Sequence, residues 1–304
     1  MTISGAGSPN VSTTTAAPGV GAGTYILTGF GAGSYTVTPT KIGGANAISS
    51  FDAARVAQHV AGVPPLLNST QLIAADTSGN GAVNSFDAAL IAQYVVSSSG
   101  GQTGSWKFQP ANRSYPSVAA SITGEDYNAI LVGEVSGNWN NTGARAATRL
   151  PESSIEIDAP HEVINTGSDI AIPVEVKGIA GKGIISYEFE LRYDPSVILP
   201  QAMPVDVAKT VSGGLSVVAN ADEPGLLRVA VFGPMPIKDD GILFNLRFTS
   251  VGSSDAVSPL TWERMMFNES SLKVVMSDGQ IVSSTAATDL TEIIGMPESA
   301  TRVF

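Results

Sequence analysis

The chain has no cysteine, so disulfides are excluded and its stability must come from packing, a bound metal or assembly with other chains. Charge is scarce as well. Asp, Glu, Lys and Arg make up 14% of the 304 residues, well under the usual quarter or so. Only 16 residues are basic against 27 acidic, a formal net charge of −11. Phosphate binding needs clustered Lys and Arg, so nucleic acid is not expected as a partner. No stretch approaches the roughly 18 apolar residues that span a bilayer, and no membrane span is expected. The opening MTISGAGSPNVSTTT also lacks the basic and apolar regions of a signal peptide.

Gly, Ser, Thr, Ala and Val fill the space that charge leaves, a composition that suits an all-β protein outside the cell. The length predicts two or three domains with ample material for cores. Residues 1–20 are Ser/Thr/Gly/Ala/Pro-rich and read as a polar tail, flexible in isolation unless something such as a neighbouring subunit holds it. GTYILTGF (Gly23–Phe30) and GSYTVTPTK (Gly33–Lys41) alternate around a Gly-Ala-Gly turn, a β-hairpin signal. A lone hairpin is marginal in water, so further strands must join it. SWKFQPANRSY and DYNAILVGEVSGNW, after the linker SSSGGQTG (Ser97–Gly104), are strand-like and are the candidates. The small β domain is thus expected over 21–41 and 100–150, with a helical insertion at 41–99. From 151 to 285 the pattern is strands with turns at short spacing, which predicts a β-sandwich. The last residues, 286–304, have no clear period and read as a tail.

The insertion repeats itself. SFDAARVAQHV (Ser50–Val60) recurs as SFDAALIAQYV (Ser85–Val95), identical at 8 of 11 positions. Phe86, Leu90, Ile91, Tyr94 and Val95 fall at helical spacing on one face. A twelve-residue loop precedes each helix. In the second, Asp76, Ser78, Asn80, Asn84 and Asp87 place oxygen-bearing side chains at positions 1, 3, 5, 9 and 12, with the Ala82 carbonyl at position 7. Gly81 stands at position 6, where the loop must turn sharply. Calcium takes six to eight hard oxygens, and this spacing wraps them around one point. The expected cofactor is calcium, held by Asp76, Ser78, Asn80, Ala82, Asn84 and Asp87. With two carboxylates and Asp at position 12, the expected affinity is in the range of about 10⁻⁴–10⁻³ M of extracellular modules. The alternative is an Asx-rich turn that only caps the helix. The first loop keeps Asp52 at position 12 but has Lys41 at position 1, which would repel a cation. Glu134, Ser136 and Asn138 are spaced like positions 1, 3 and 5 elsewhere; a plain turn is the favoured reading there.

Two loop–helix units with Asp at position 12 and a short spacer resemble a dockerin, over about Thr40–Ser97, closely in the second repeat and in degenerate form in the first. EVINTGSDIAIPVEVKGIAGKGIISYEFELRYDPSVI, GLLRVAVFG and DDGILFNLRF resemble a cohesin domain over roughly Ser153–Ser284. The hairpin before the helices is similar to the end of a carboxypeptidase-regulatory, prealbumin-type module. The expected architecture is therefore mainly β with a small α insertion: a cohesin-like jelly-roll sandwich C-terminal, with a dockerin-like helical pair and a small β-sandwich N-terminal. The resemblance implies that loop positions 10 and 11, Ser50, Phe51, Ser85 and Phe86, contact a partner. Phe51 and Phe86 also begin the apolar stripes, and core is the favoured reading for both.

Catalysis needs convergent titratable groups, and none is visible. His59 matches Tyr94 of the other repeat, and His161 is expected in a turn before a strand. Glu188 and Glu190 alternate with Phe189 and Leu191 and read as a solvated face. No enzyme activity is expected. The expectation is a non-catalytic, extracellular or cell-surface protein whose export signal is absent from this numbering. It would self-assemble as a homo-oligomer or polymer through these modules or through strand exchange by its tail. The alternative is a scaffold adaptor that binds a foreign cohesin, a foreign dockerin or polysaccharide, with Trp106, Trp139, Tyr115 and Trp262 as sugar platforms.

Overall fold

The structure is a computed structural model, and it describes residues 1–17, 23–140, 154–269, 272–285 and 301–303. The chain divides into two compact units. The first holds 1–48, 67–83 and 101–146; the second holds 49–66, 84–100 and 147–304. Helices α1 (Ser50–Val60) and α3 (Ser85–Ser97) belong to the second unit, whereas α2 (Ser69–Ala75) belongs to the first.

In the first unit, β1 (Thr2–Ala6), β2 (Val11–Thr14), β3 (Tyr35–Thr40) and β5 (Arg113–Tyr115) form a sheet in the order β2-β1-β3-β5. The strands β4 (Trp106–Gln109) and β6 (Asn128–Leu131) pair separately. Part of the segment expected as a tail is therefore two strands. Its Ile3, fully buried, stands opposite Thr13 and Pro39 in antiparallel register, and alternating Ser and Thr face away. The tail completes the sheet of its own chain. By contrast, Gly23–Phe30 forms no strand. Gly29 and Gly33 take positive φ (86° and 118°), a conformation that breaks a ladder. That segment is held by side chains instead: Tyr25 Oη donates to Glu125 O at 2.5 Å, and Phe30 packs edge-on to buried Tyr35.

The second unit is a sandwich of two six-stranded sheets. One runs β12-β13-β10-β15-β17-β8, with β8 (His161–Asn165), β10 (Ser186–Arg192), β12 (Ser216–Asn220), β13 (Leu226–Phe232), β15 (Val257–Phe267) and β17 (Gly279–Ser284). The other runs β11-β14-β9-β7-β16-β18, with β7 (Ile155–Asp158), β9 (Asp169–Lys177), β11 (Ile198–Asp206), β14 (Gly241–Ser250), β16 (Val274–Ser277) and β18 (Thr301–Val303). The remaining residues of the expected C-terminal tail lie outside the described residues. The core between the sheets is aromatic at its centre. Phe189 stacks on Phe244 at 4.8 Å, and Trp262, fully buried, meets Phe189 edge-on. Trp262 is thus part of the core and not a sugar platform.

Strands β10 and β13 are buried on both faces, which a two-layer sandwich alone does not require. Tyr187, Phe189, Leu191, Leu227, Val229 and Val231 point into the core. By the two-residue period, Ser186, Glu188, Leu226, Ala230 and Phe232 point the other way. Helices α1 and α3 cover them. They pack on each other, α1 also on β10 and β13, and α3 also on β12 and β13. Small residues allow the close approach: Ala53, Ala54, Ala92 and Ala230 are fully buried, together with Val56 and Ile91. The helical pair therefore sits on the outer face of the sandwich of its own chain.

Candidate calcium loop and helix-docking face

The boundary between the two units falls inside the second loop, after Val83. On the first side, Asp76 ends α2 and organises the turn that follows. Its carboxylate accepts the N–H groups of Gly79 (2.9 Å), Asn80 (3.1 Å) and Gly81 (3.1 Å). Asn80 Oδ1 accepts the Ala82 N–H at 2.8 Å. Gly79 and Gly81 both take left-handed φ (74° and 84°), which explains glycine at position 6 and at position 4. On the second side, Asn84 caps α3 by accepting the Phe86 N–H at 2.8 Å, and Asp87 Oδ2 accepts the Asn84 N–H at 2.9 Å. This is a reciprocal capping box.

Ser78 Oγ also donates to Asp76 Oδ1 at 3.4 Å, and an ionised carboxylate offers about four acceptor sites, so a cation at Asp76 would take the place of some of these donors. Every donor in the predicted set is oxygen: two carboxylates, two amides, a hydroxyl and a backbone carbonyl. Such a set suits a hard cation of the calcium class and offers nothing to a softer metal. Among the described residues no three His, Cys, Asp or Glu side chains come together. By chemistry alone, Asp76, Ser78, Asn80, Ala82, Asn84 and Asp87 are donors of the kind a calcium ion takes, the first four in one unit and the last two in the other.

The first loop is built differently. Ser49 caps α1, and Asp52 returns the capping box by accepting the Ser49 N–H at 2.9 Å, so the rear half of the loop repeats the second. The front half holds its own cation. Lys41 Nζ lies 3.8 Å from the ring centre of Trp106 and 3.9 Å from that of Trp139. The indole N–H of Trp106 donates to Gly43 O (2.8 Å), and that of Trp139 to Gly44 O (2.7 Å). Burial draws the Lys41 pKa down, while the two ring faces favour the cation. Glu134 closes a turn, accepting Ser136 Oγ (3.0 Å) and the Asn138 N–H (2.9 Å).

The four residues expected to face a partner separate sharply. Ser50 is fully buried, and its N–H donates to Glu188 Oε2 at 2.9 Å. Phe51 is half-buried. Ser85 is exposed and Phe86 is 58% exposed, so Phe86 does not begin a buried stripe; α3 buries Ala88, Ile91 and Ala92 instead. Two further contacts fasten α1. Ser49 Oγ donates to Glu269 Oε1 at 2.8 Å, and Gln58 Nε2 to Pro234 O at 3.4 Å. Glu188, read from sequence as solvated, is 3% exposed, and Arg264 bonds its other oxygen. The alternation of β10 gave no sign of this, because burial of its outer face depends on a helix more than a hundred residues away.

No curated protein matches the chain. A model of the cohesin domain matches residues 153–283, and one of the dockerin type I domain matches residues 44–96. The chain carries a cohesin domain and a dockerin type I domain. The dockerin match begins just past Lys41, where the first loop departs from the pattern. Solved structures similar to the cohesin domain include a type I cohesin from Pseudobacteroides cellulosolvens (15% identity, 44% of this chain and 95% of that one, TM-score 0.37). Others are a chain of a type I cohesin–dockerin complex from Clostridium thermocellum (20%, 43% and 99%, 0.37) and a non-cellulosomal cohesin from the hyperthermophilic archaeon Archaeoglobus fulgidus (19%, 47% and 100%, 0.38). Cohesin and dockerin modules are non-catalytic interaction modules that bind each other. Dockerin type I domains are calcium-binding and EF-hand-like. No helix among the described residues is long and apolar enough to cross a membrane.

Proposed function

We propose that this chain is an extracellular, calcium-stabilised, non-catalytic structural subunit that recognises copies of itself through its dockerin and cohesin domains. The observation that carries the reading is the seat of α1 and α3 on the outer face of the cohesin sandwich. One chain holds both members of a complementary pair. A surface that fits within a chain also fits between chains when the helical pair is exchanged, and a head-to-tail exchange that does not close makes a filament. A loop with the expected calcium affinity of about 10⁻⁴–10⁻³ M would fill outside cells, which supports an extracellular setting. The polymer reading no longer needs the N-terminal segment as a donated strand, since that segment pairs with β3 of its own chain.

Light scattering and negative-stain microscopy, with millimolar calcium and then with chelator, test the reading. Filaments or rings that fall apart on chelation support it and place calcium in the joint. A monomer under both conditions sinks self-assembly. The adaptor reading rests on one feature, the exposed Ser85–Phe86 end of α3, which a foreign cohesin could cover. Binding of such a partner by a stable monomer would favour it.

A further inference from the structure

The helix-covered face of the sandwich contains one buried carboxylate, and its bonding is specific. Glu188 lies on β10 with its side chain 4% exposed. One oxygen takes the guanidinium of Arg264, and the other takes the first N–H of α1, from Ser50. A helix N-terminus offers unsatisfied N–H groups and the positive end of the helix dipole, so a carboxylate there is favourable twice over. Glu269, through Ser49 Oγ, places a second carboxylate beside the same terminus. The N-terminus of α3 begins with the same Ser-Phe-Asp-Ala-Ala but is exposed at Ser85 and Phe86. The sandwich thus distinguishes two helices that share their opening sequence, by where it puts its acids.

We infer that Glu188 is the anchor of an anionic socket for the α1 N-terminus, and that the isolated chain fills this socket with its own helix, so that assembly through the outer face of β10, β13 and β12 requires the helical pair to leave it. The inference rests on the reading that the two domains recognise each other, and adds which residue decides the fit and that it is satisfied within one chain. The contact is fastened without being perfected. Ser50 Oγ is buried with no hydrogen-bond partner, so side chain and N–H of one residue act in opposite directions on closure.

That opposition supplies the test. Ser50 is the first residue of α1, where proline is tolerated, and Ser49 before it is extended (φ −145°, ψ 173°), as a residue preceding proline must be. Ser50→Pro therefore removes the N–H to Glu188 and leaves the helix able to form. Ser50→Ala removes only the unpartnered hydroxyl. Glu188→Gln weakens the same bond from the sandwich side. Because the chain has no cysteine, Gln58→Cys with Pro234→Cys introduces the only thiols, and a short bis-maleimide reports which chains they join.

At low micromolar concentration the adduct is expected within single chains. Amide exchange of α1 and α3 should speed up about ten- to a hundredfold in Ser50→Pro, the loss expected for one bond to a charged group. Glu188→Gln should move the same way, and Ser50→Ala should not. Exchange in β9 and β14 must stay unchanged, which shows that the sandwich is folded. Adducts formed only between chains, or exchange indifferent to Ser50→Pro and Glu188→Gln, would overturn the inference while leaving mutual recognition standing. No adduct of either kind, with α1 and α3 exchanging freely in the unmodified chain, would overturn both.

Discussion

The two repeats of this protein start their helices with the same five residues and the same reciprocal cap, yet the front halves of their loops are built differently. In the second repeat Asp76 gathers three backbone N–H groups at the head of an all-oxygen donor set. In the first, a lysine stands where that aspartate would be, clasped between two indoles. One loop offers oxygens of the kind a hard cation takes; the other supplies an ammonium of its own. The difference teaches that the rear half of such a loop, which caps the helix, can be kept while the front half changes from a carboxylate that gathers backbone N–H groups to an ammonium held by indoles.

The largest effect should come from removing the calcium donors. At calcium concentrations of ten to a hundred times Kd, the ion contributes about 1.4–2.7 kcal/mol to stability. Asp76→Ala with Asp87→Ala should abolish the calcium-dependent rise in Tm and loosen the helical pair. A calorimetric scan that still shows the rise would mean the metal lies elsewhere. Next in size, Asp87→Ala and Asp52→Ala should each lose a helix cap, about 0.5–2 kcal/mol. The two variants are expected to behave alike in chelator, with only Asp87→Ala falling further behind the native chain in calcium. If both lost the calcium response, the first loop would be a metal site as well, and the contrast between the repeats would vanish.

Lys41→Met should cost about 0.5–2 kcal/mol through the lost cation–π contacts, and equally in calcium and in chelator. Lys41→Arg should recover part of this, and tryptophan fluorescence should report the change. A Lys41→Met deficit that calcium repairs would mean that the ion can replace the ammonium. The smallest effect concerns reach. Burial pushes Tyr127 up to about 12 and also raises Tyr25 and Tyr115, whose hydroxyls sit around Glu125. A group whose folded pKa is raised stabilises fully below its unfolded value, near 10, and that contribution is lost as pH rises toward about 12. Tyrosinate absorbance should therefore rise in the same alkaline range in the native chain and in Lys41→Met. A shift in the variant would show that the clamp braces the whole unit and not only its loop.

Legibility followed the range of the interactions. The oxygen pattern from Asp76 to Asp87 was readable because its oxygen-bearing residues lie within twelve positions at a fixed spacing. The sandwich was readable because alternation along each strand is local. Helix α2 was missed, although its capping box, Asn68 with Gln71, stood in the sequence; its apolar run is too short to show a period. The two strands in residues 1–20 were missed because Ser, Thr and Gly dominate there and a single Ile3 carries the burial.

Sequence by itself determined the two domains, the capped helices, the oxygen set of the second loop and the degeneracy of the first, all of them consequences of residues close along the chain. Tertiary structure alone decided that Lys41 would find Trp106 and Trp139, that Glu188 would be buried, and that Phe86 would be exposed while Ser50 was not. Each of those outcomes sets a charge or a face against residues dozens to more than a hundred positions away. Identical local sequences, such as the two copies of Ser-Phe-Asp-Ala-Ala, hold no information about which of them a distant carboxylate will meet.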